Sequence, residues 1–246
     1  MNKVALVTGG SRGIGSATAI HLAKAGMDVA VNYLENKAKA NEVVEQIKSL
    51  GQNAIAVQAD VGSYEQVQQM AKQIVDELSG LQVLVNNAGY SSHFGLTDLT
   101  PEEWRKMCAV TLDAAFYCAK EAVPHMKSAG WGRIVNISSL RAMTGSAHGP
   151  HYASSKAGLL GLTKSLALDL GPDNITVNAI SPGYTETDMT RKSIETKGEQ
   201  VRATIPVRKI GSPGDIASAI AFLCSDGGSY ITGETINVNG GIYMRS

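Results

Sequence analysis

The chain's 246 residues carry 22 basic and 22 acidic side chains, a formal net charge of zero that offers no field to gather nucleic acid or anionic lipid. Hydrophobic residues make up 43%, and no Pro/Gly/Ser-rich stretch splits a sequence with 26 glycines and 7 prolines, so a single domain over 1–246 is expected. Cys108, Cys118 and Cys224 are too far apart for a metal-ligand pattern, which leaves buried small hydrophobes and no metal.

Met1-Asn2-Lys3 precedes an apolar run, 4–7, too short for the core of a secretory signal. No later run reaches the ~18 apolar residues of a membrane span, so a cytoplasmic protein without a membrane segment is expected. Short β-branched runs at 4–7, 29–31, 54–57, 83–85, 134–137 and 175–180 read as buried parallel strands. Between them, apolar residues three or four apart mark helices with one sheet-facing side: Ala38, Val43, Ile47 and Leu50, then Val67, Met70, Ile74 and Leu78, and later Leu159, Leu162, Leu166 and Leu170. Ile236-Asn237-Val238 adds a late strand. The alternation predicts a Rossmann-type doubly wound α/β fold, about seven parallel strands with helices on both faces, binding its ligand outside the strands' carboxyl ends.

The polar residues after each strand are therefore the candidate site. After the first comes Thr8-Gly9-Gly10-Ser11-Arg12-Gly13-Ile14-Gly15, a glycine turn entering a helix, where free N–H groups can meet a pyrophosphate. The spacing of Gly9, Gly13 and Gly15 is looser than G-x-G-x-x-G, and the Lys-Ser/Thr pair of a triphosphate loop is missing. The second strand runs into Asn32-Tyr33-Leu34 with no acid at its tip for a ribose 2′-hydroxyl. Asn32 as donor and Arg12 as phosphate partner favour NADP(H), while Glu35 reads as a first-turn acid of the next helix. Asp60-Val61, after the third strand, suits an acceptor for the adenine amine or a helix N-cap. Asn86-Asn87-Ala88-Gly89 follows the fourth, with amides to fasten strand ends and small Ala88 and Gly89 to let a cofactor pass.

The fifth strand ends at Ser138-Ser139, and Tyr152 and Lys156 then fall at i and i+4 on one helix face. An ammonium beside a phenol stabilises the phenolate, and a serine at a neighbouring strand end can donate to a carbonyl oxygen as charge develops there. The set suits proton transfer at a ketone while a nicotinamide supplies hydride.

In their order, the glycine turn 8–15, Asp60, Asn86-Asn87-Ala88-Gly89, Ser139, Tyr152 with Lys156, and Pro182-Gly183 leading to Thr187 resemble the classical short-chain dehydrogenase/reductase family over nearly the whole chain. The likeness is nearest to its 3-oxoacyl-(acyl-carrier-protein) reductase-like members. It implies a homotetramer, Tyr152 as acid-base, Lys156 on the nicotinamide ribose and assisting Tyr152, and Ser139 orienting the carbonyl. It also implies that Pro182, Gly183, Thr185 and Thr187 border the nicotinamide and that 187–205 is a substrate lid; the polar residues Arg191, Lys192, Glu195, Lys197 and Glu199 suit such a helix. Thr111 stands where the family usually has an Asn whose carbonyl holds a water near the active Lys, which implies a weaker or rearranged proton relay.

The expected function is NADPH-dependent reduction of a ketone, a 3-oxoacyl thioester or another small carbonyl compound, to a secondary alcohol, with Tyr152 as proton donor. One alternative is an NAD(P)-dependent sugar or secondary-alcohol dehydrogenase, because Val31-Asn32-Tyr33 is also similar to glucose 1-dehydrogenase-like members. The other is a non-catalytic NADP(H)-binding protein, because a fold alone guarantees no chemistry. A reductase that docks the acidic acyl carrier protein needs basic residues beside the pocket mouth, and in the reductases it resembles Arg residues commonly serve just before the fifth and sixth strands. Gly130 and Asp173 take those places here, with Lys127, Arg133 and Arg141 nearby, so a free ketone or a smaller thioester carrier is expected to serve better.

Overall fold

The computed structural model describes residues 3–244; Met1, Asn2, Arg245 and Ser246, part of the expected 1–246 domain, lie outside the described residues. In chain order the elements are β1 (Val4–Val7), α1 (Gly13–Lys24), β2 (Asp28–Tyr33), α2 (Lys37–Ser49), β3 (Ala54–Gln58), α3 (Tyr64–Leu78), β4 (Val83–Asn86) and α4 (Pro101–Cys108). A π-helical turn (Ala109–Asp113) leads into α5 (Ala114–Ala129), β5 (Gly132–Ile137), α6 (Arg141–Thr144), α7 (Pro150–Leu170), β6 (Ile175–Pro182), α8 (Arg191–Thr204), α9 (Pro213–Leu223) and β7 (Thr235–Val238).

The seven strands form one parallel sheet in the order β3-β2-β1-β4-β5-β6-β7. Successive side chains on a strand point to opposite faces. Ala5 and Val7 of β1 accordingly join Leu22, Val43, Ile47, Ile216 and Ile220 under α1, α2 and α9, while Val4 and Leu6 join Met70, Ile74, Ala122 and Met126 under α3 and α5. Two apolar layers sandwich the sheet, which is why its inner strands read as unbroken hydrophobic runs. On α2 the sheet-facing stripe is Ala40, Val43, Val44 and Ile47; Ala38 and Leu50, expected in it, are exposed. No helix among the described residues is long and apolar enough to cross a membrane.

Strand order reverses between β1 and β4, so the chain leaves these neighbours in opposite directions and opens a crevice at their carboxyl ends. Thr8 bridges it. Its hydroxyl accepts from the N–H of Asn87 at 2.9 Å and of Ala88 at 3.0 Å, and its own N–H donates to the Val85 carbonyl at 3.1 Å.

Candidate active site

The glycine turn 8–15 lies on that crevice. Gly9 and Gly13 take φ of +60° and +56°, and a Cβ on Gly15 would lie 2.3 Å from the Gly9 carbonyl oxygen, so the turn has no room for a side chain. Arg12 is the N-cap of α1 and its side chain caps no N–H, which leaves the first helical amides directed outward, as an anionic pyrophosphate requires. Asn87 ties the loop after β4 to the same turn, its amide donating to the carbonyls of Thr8 at 2.9 Å and Gly9 at 3.2 Å. Helix entry, absent Cβ atoms and small neighbours at Ala88 and Gly89 together fit a dinucleotide.

β2 runs two residues further than its apolar core suggests, and Asn32 and Tyr33 lie inside it, 2% and 4% exposed. Asn32 accepts from the Gly9 N–H at 3.1 Å and donates to the Ala59 carbonyl at 3.1 Å. Both ends of this amide thus serve the backbone, fastening the glycine turn to β2 and the end of β3. The exposed cations are elsewhere: Arg12 and Lys39 of α2 lie 3.8 and 4.0 Å from the Asp188 carboxylate, which Arg191 also pairs at 2.5 Å. Asp60 accepts from the Gly62 N–H at 2.9 Å in a local turn beside buried Val61, and the cap of α3 is Ser63 instead. The N-cap reading of Asp60 is therefore corrected.

At the chemical end, Tyr152 is half-buried in the first turn of α7, and Lys156 one turn on is 4% exposed, its Nζ donating to the Ile137 carbonyl at 2.6 Å. Ser138 donates to the Lys156 carbonyl at 2.8 Å, locking the end of β5 to α7, and Ser139 accepts from the Arg141 N–H at 3.1 Å. Nζ lies 5.9 Å from the Tyr152 ring centroid. Burial holds the Tyr152 phenol above its ordinary value, opposed by the Ser139 hydroxyl and the Arg141 charge, and burial lowers Lys156 to about 8. Desolvation thus outweighs the Ser139 hydrogen bond and the Arg141 charge at the phenol.

The π-helical turn stands between α4 and α5, and Thr111 lies within it, 3% exposed. A Cβ on Gly89 would be 3.7 Å from Lys156 Nζ and 4.0 Å from Thr111 Oγ1, so the three meet at one point. The Thr111 hydroxyl donates to Met107 Sδ at 3.7 Å. On the far wall, Pro182 ends β6, Gly183 passes so near β7 that a Cβ would meet Asn239 Cα at 2.8 Å, and Thr185 is buried. The Thr187 methyl would lie 3.5 Å from a Cβ on Gly13, so the expected lid segment starts against the cofactor turn. α8 covers most of that segment and bends at Lys197.

Sequence reasoning did not find Lys39, Asp188, or the pairing of His151 with Ser92 and Glu103. Lys39 meets Asp188, and His151 meets Ser92, across long stretches of chain, whereas Asp188 also pairs locally with Arg191; Lys39 carried a signal in its place in the first turn of α2 beyond the second strand.

A doubly wound sheet with a glycine cradle at its switch point and a Ser-Tyr-Lys group at the same edge defines a nucleotide-dependent oxidoreductase class of site. A family profile described as Enoyl-(Acyl carrier protein) reductase matches residues 9–243. The 3-oxoacyl-(acyl-carrier-protein) reductase FabG of Staphylococcus aureus is 44% identical over 244 residues, 99% of either chain, and the corresponding Synechocystis reductase is 42% identical over 98% of this chain and 97% of its own. A blue fluorescent protein from a metagenomic library, solved in complex with NADPH, superposes with a TM-score of 0.92 at 37% identity, covering 98% of both chains. A double mutant of a Serratia marcescens short-chain dehydrogenase/reductase gives 0.92 at 36%, covering 98% and 97%. The chain belongs to the classical short-chain dehydrogenase/reductase family and is closely related to its FabG-like members.

Proposed function

We propose that this NADPH-dependent member of the family reduces the ketone of a small carbonyl compound to a secondary alcohol, with Tyr152 delivering the proton to the carbonyl oxygen. The observation that carries the reading is the convergence of Tyr152, Lys156 and Ser139 at the carboxyl end of β5, facing a glycine cradle shaped for a pyrophosphate. Ser139 holds the carbonyl oxygen. A phenol kept above its ordinary value stays protonated at neutral pH and is a donor rather than a base. Lys156 steadies the phenolate once the proton has left, and Thr111, meeting Lys156 at Gly89, stands on the path that refills it.

The cofactor is held by Gly9, Ser11, Gly13, Ile14 and Gly15 at the pyrophosphate, by Asp60 and Val61 at the adenine, and by Asn87, Ala88 and Gly89 along the crevice. Asn32 and Tyr33 shape the adenosine end from within β2, while Arg12, with Lys39, takes the 2′-phosphate. Lys156 serves the nicotinamide ribose, with Pro182, Gly183, Thr185 and Thr187 at the nicotinamide. The chemistry supplied by bound NADPH is a hydride. One domain carries the whole site, with residues 187–205 as lid. Four chains assemble, a reading supported by exposed Phe116 of α5 and Leu168 of α7.

Turnover of NADPH with a panel of ketones tests the activity, and Tyr152→Phe tests the role. The substitution is expected to lower kcat/KM by roughly 10² to 10⁴ while NADPH binding, read by fluorescence, stays nearly intact. A loss below about tenfold removes Tyr152 from the proton transfer.

A further inference from the structure

His151, the residue before Tyr152, is 0% exposed and titratable, and nothing in the reaction above uses it. Its Nε2 lies 2.8 Å from Ser92 Oγ, which donates to Glu103 Oε1 at 2.7 Å; the Tyr90 hydroxyl donates to the same oxygen at 2.9 Å. With its hydrogen committed to the carboxylate, Ser92 can only accept from the ring, so the proton sits on Nε2. Nδ1 is then a bare acceptor, buried with no partner.

The chain of bonds joins three elements: the loop after β4 through Tyr90 and Ser92, the first turn of α4 through Glu103, whose N–H is capped by Thr100, and the first turn of α7 through His151. The loop is clamped a second time, where Phe94 donates its N–H to the His148 carbonyl at 3.1 Å with its ring 6.1 Å from the His151 ring. We propose that His151 is a positioning residue: through Ser92 and Glu103 it pins the turn bearing Tyr152 to the loop after β4 and to α4, and protonation releases that pin. The inference rests on the reading of Tyr152 as proton donor.

The charged and titratable groups facing the cluster are Glu103, which favours a charged ring, His93, which opposes it, Lys106, 5.5 Å from the Tyr90 ring and acting on Glu103, Tyr90 itself, and Cys108, which acts on Tyr90. Burial outweighs them and holds His151 below its ordinary value, so the ring is neutral at neutral pH. A second proton would place a hydrogen on Nδ1 where no acceptor stands and a charge where water is excluded. The neutral arrangement is therefore the one that holds α7 in place.

The test uses the intact enzyme with a ketone substrate, reading kcat, KM, NADPH affinity and the acid side of the pH profile. His151→Phe and Ser92→Ala break the chain at either end of one bond, while His151→Gln keeps a donor at the Nε2 position and cannot titrate. Expected are a fall in kcat of about tenfold or more for His151→Phe and Ser92→Ala with NADPH affinity unchanged, and for His151→Gln a recovery to within about threefold with the acid-side decline removed. Wild-type kcat in a folded His151→Phe or in Ser92→Ala, no rescue by Gln, or an acid limb that survives Gln would each overturn it. If His151→Phe does not fold, Ser92→Ala and His151→Gln decide the matter. Full activity in Tyr152→Phe would instead defeat the underlying reading.

Discussion

Lys156 is the residue where burial and charge compete most directly. Held at 4% exposure with its Nζ on the Ile137 carbonyl, it titrates near 8, whereas the Tyr152 phenol is raised and remains protonated well past that point. In the proposed mechanism reduction needs the phenol proton and, as the phenolate forms, the ammonium charge. Below about 8 both are present; above it Lys156 loses its proton first, and the developing phenolate loses its partner. Reductive kcat at saturating NADPH is therefore expected to hold through neutral pH and to fall as pH rises through about 8. A pH–rate profile that stays flat until the phenol itself ionises would contradict this coupling. The Tyr152 and Lys156 pair was legible because its chemistry is local, four residues apart on one helix. His151 was not, because Ser92 lies 59 residues away and only the packing of α4 and the β4 loop on α7 brings them together. Asn32 was legible as a polar residue near a strand end, but the direction of its side chain depends on where β2 stops.

At the scale of elements, apolar spacing recovered the strands and most sheet-facing helix stripes because burial against a two-sided sheet imposes it. The π-helical turn left no such mark: one extra residue per turn at Ala109–Asp113 changes neither the charge nor the apolar content of 104–120. That turn sets Thr111 opposite Lys156 and Gly89. Thr111→Asn, which supplies an amide where the family usually has one, is expected to preserve or raise kcat if the proton path is the weak point. A large fall with an unchanged melting curve would show a site built around the threonine. The first residues of the proposed lid meet the glycine turn through one carboxylate, Asp188, shared by Arg12, Lys39 and Arg191. Exposed pairs of this kind contribute about 0–1 kcal/mol each, so the stronger consequence lies in the cofactor, where a charge-assisted contact to phosphate is lost. Arg12→Ala is expected to raise KM for NADPH by about tenfold and to leave KM for NADH nearly unchanged. Equal kcat/KM for the two cofactors in the wild-type enzyme would remove the premise, and Glu35 would become the residue to vary.

Over the whole molecule, the question of what delivers the substrate turns on the two ends of the sheet. All strands run parallel, so Ser139 and the glycine turn share one edge, while Gly130 and Asp173 lie at the other, where β5 and β6 begin. A strand of six residues spans about 20 Å, so the expectation that these positions lie beside the pocket mouth is corrected: they stand at the opposite end of the sheet. The nearby cations cannot substitute for the missing arginines. Arg133 is 1% exposed, stacked 4.3 Å from the Trp131 ring centroid and donating to the Gly132 carbonyl at 2.8 Å, and Lys127 is paired with Asp173 at 2.8 Å. Of the three cations, Arg141 is the one that stands exposed beside Tyr184, 3.5 Å from its hydroxyl. The places before β5 and β6 therefore offer an acidic carrier protein little positive charge, although FabG of Staphylococcus aureus shares 44% of the sequence. The same 3-oxoacyl group carried by acyl carrier protein, by coenzyme A and by a short thioester mimic is expected to give comparable kcat/KM, or higher values for the smaller carriers, at low and high salt alike. A carrier-protein advantage of about tenfold or more that collapses as salt screens the encounter would overturn this and make acyl chains on a carrier the substrate.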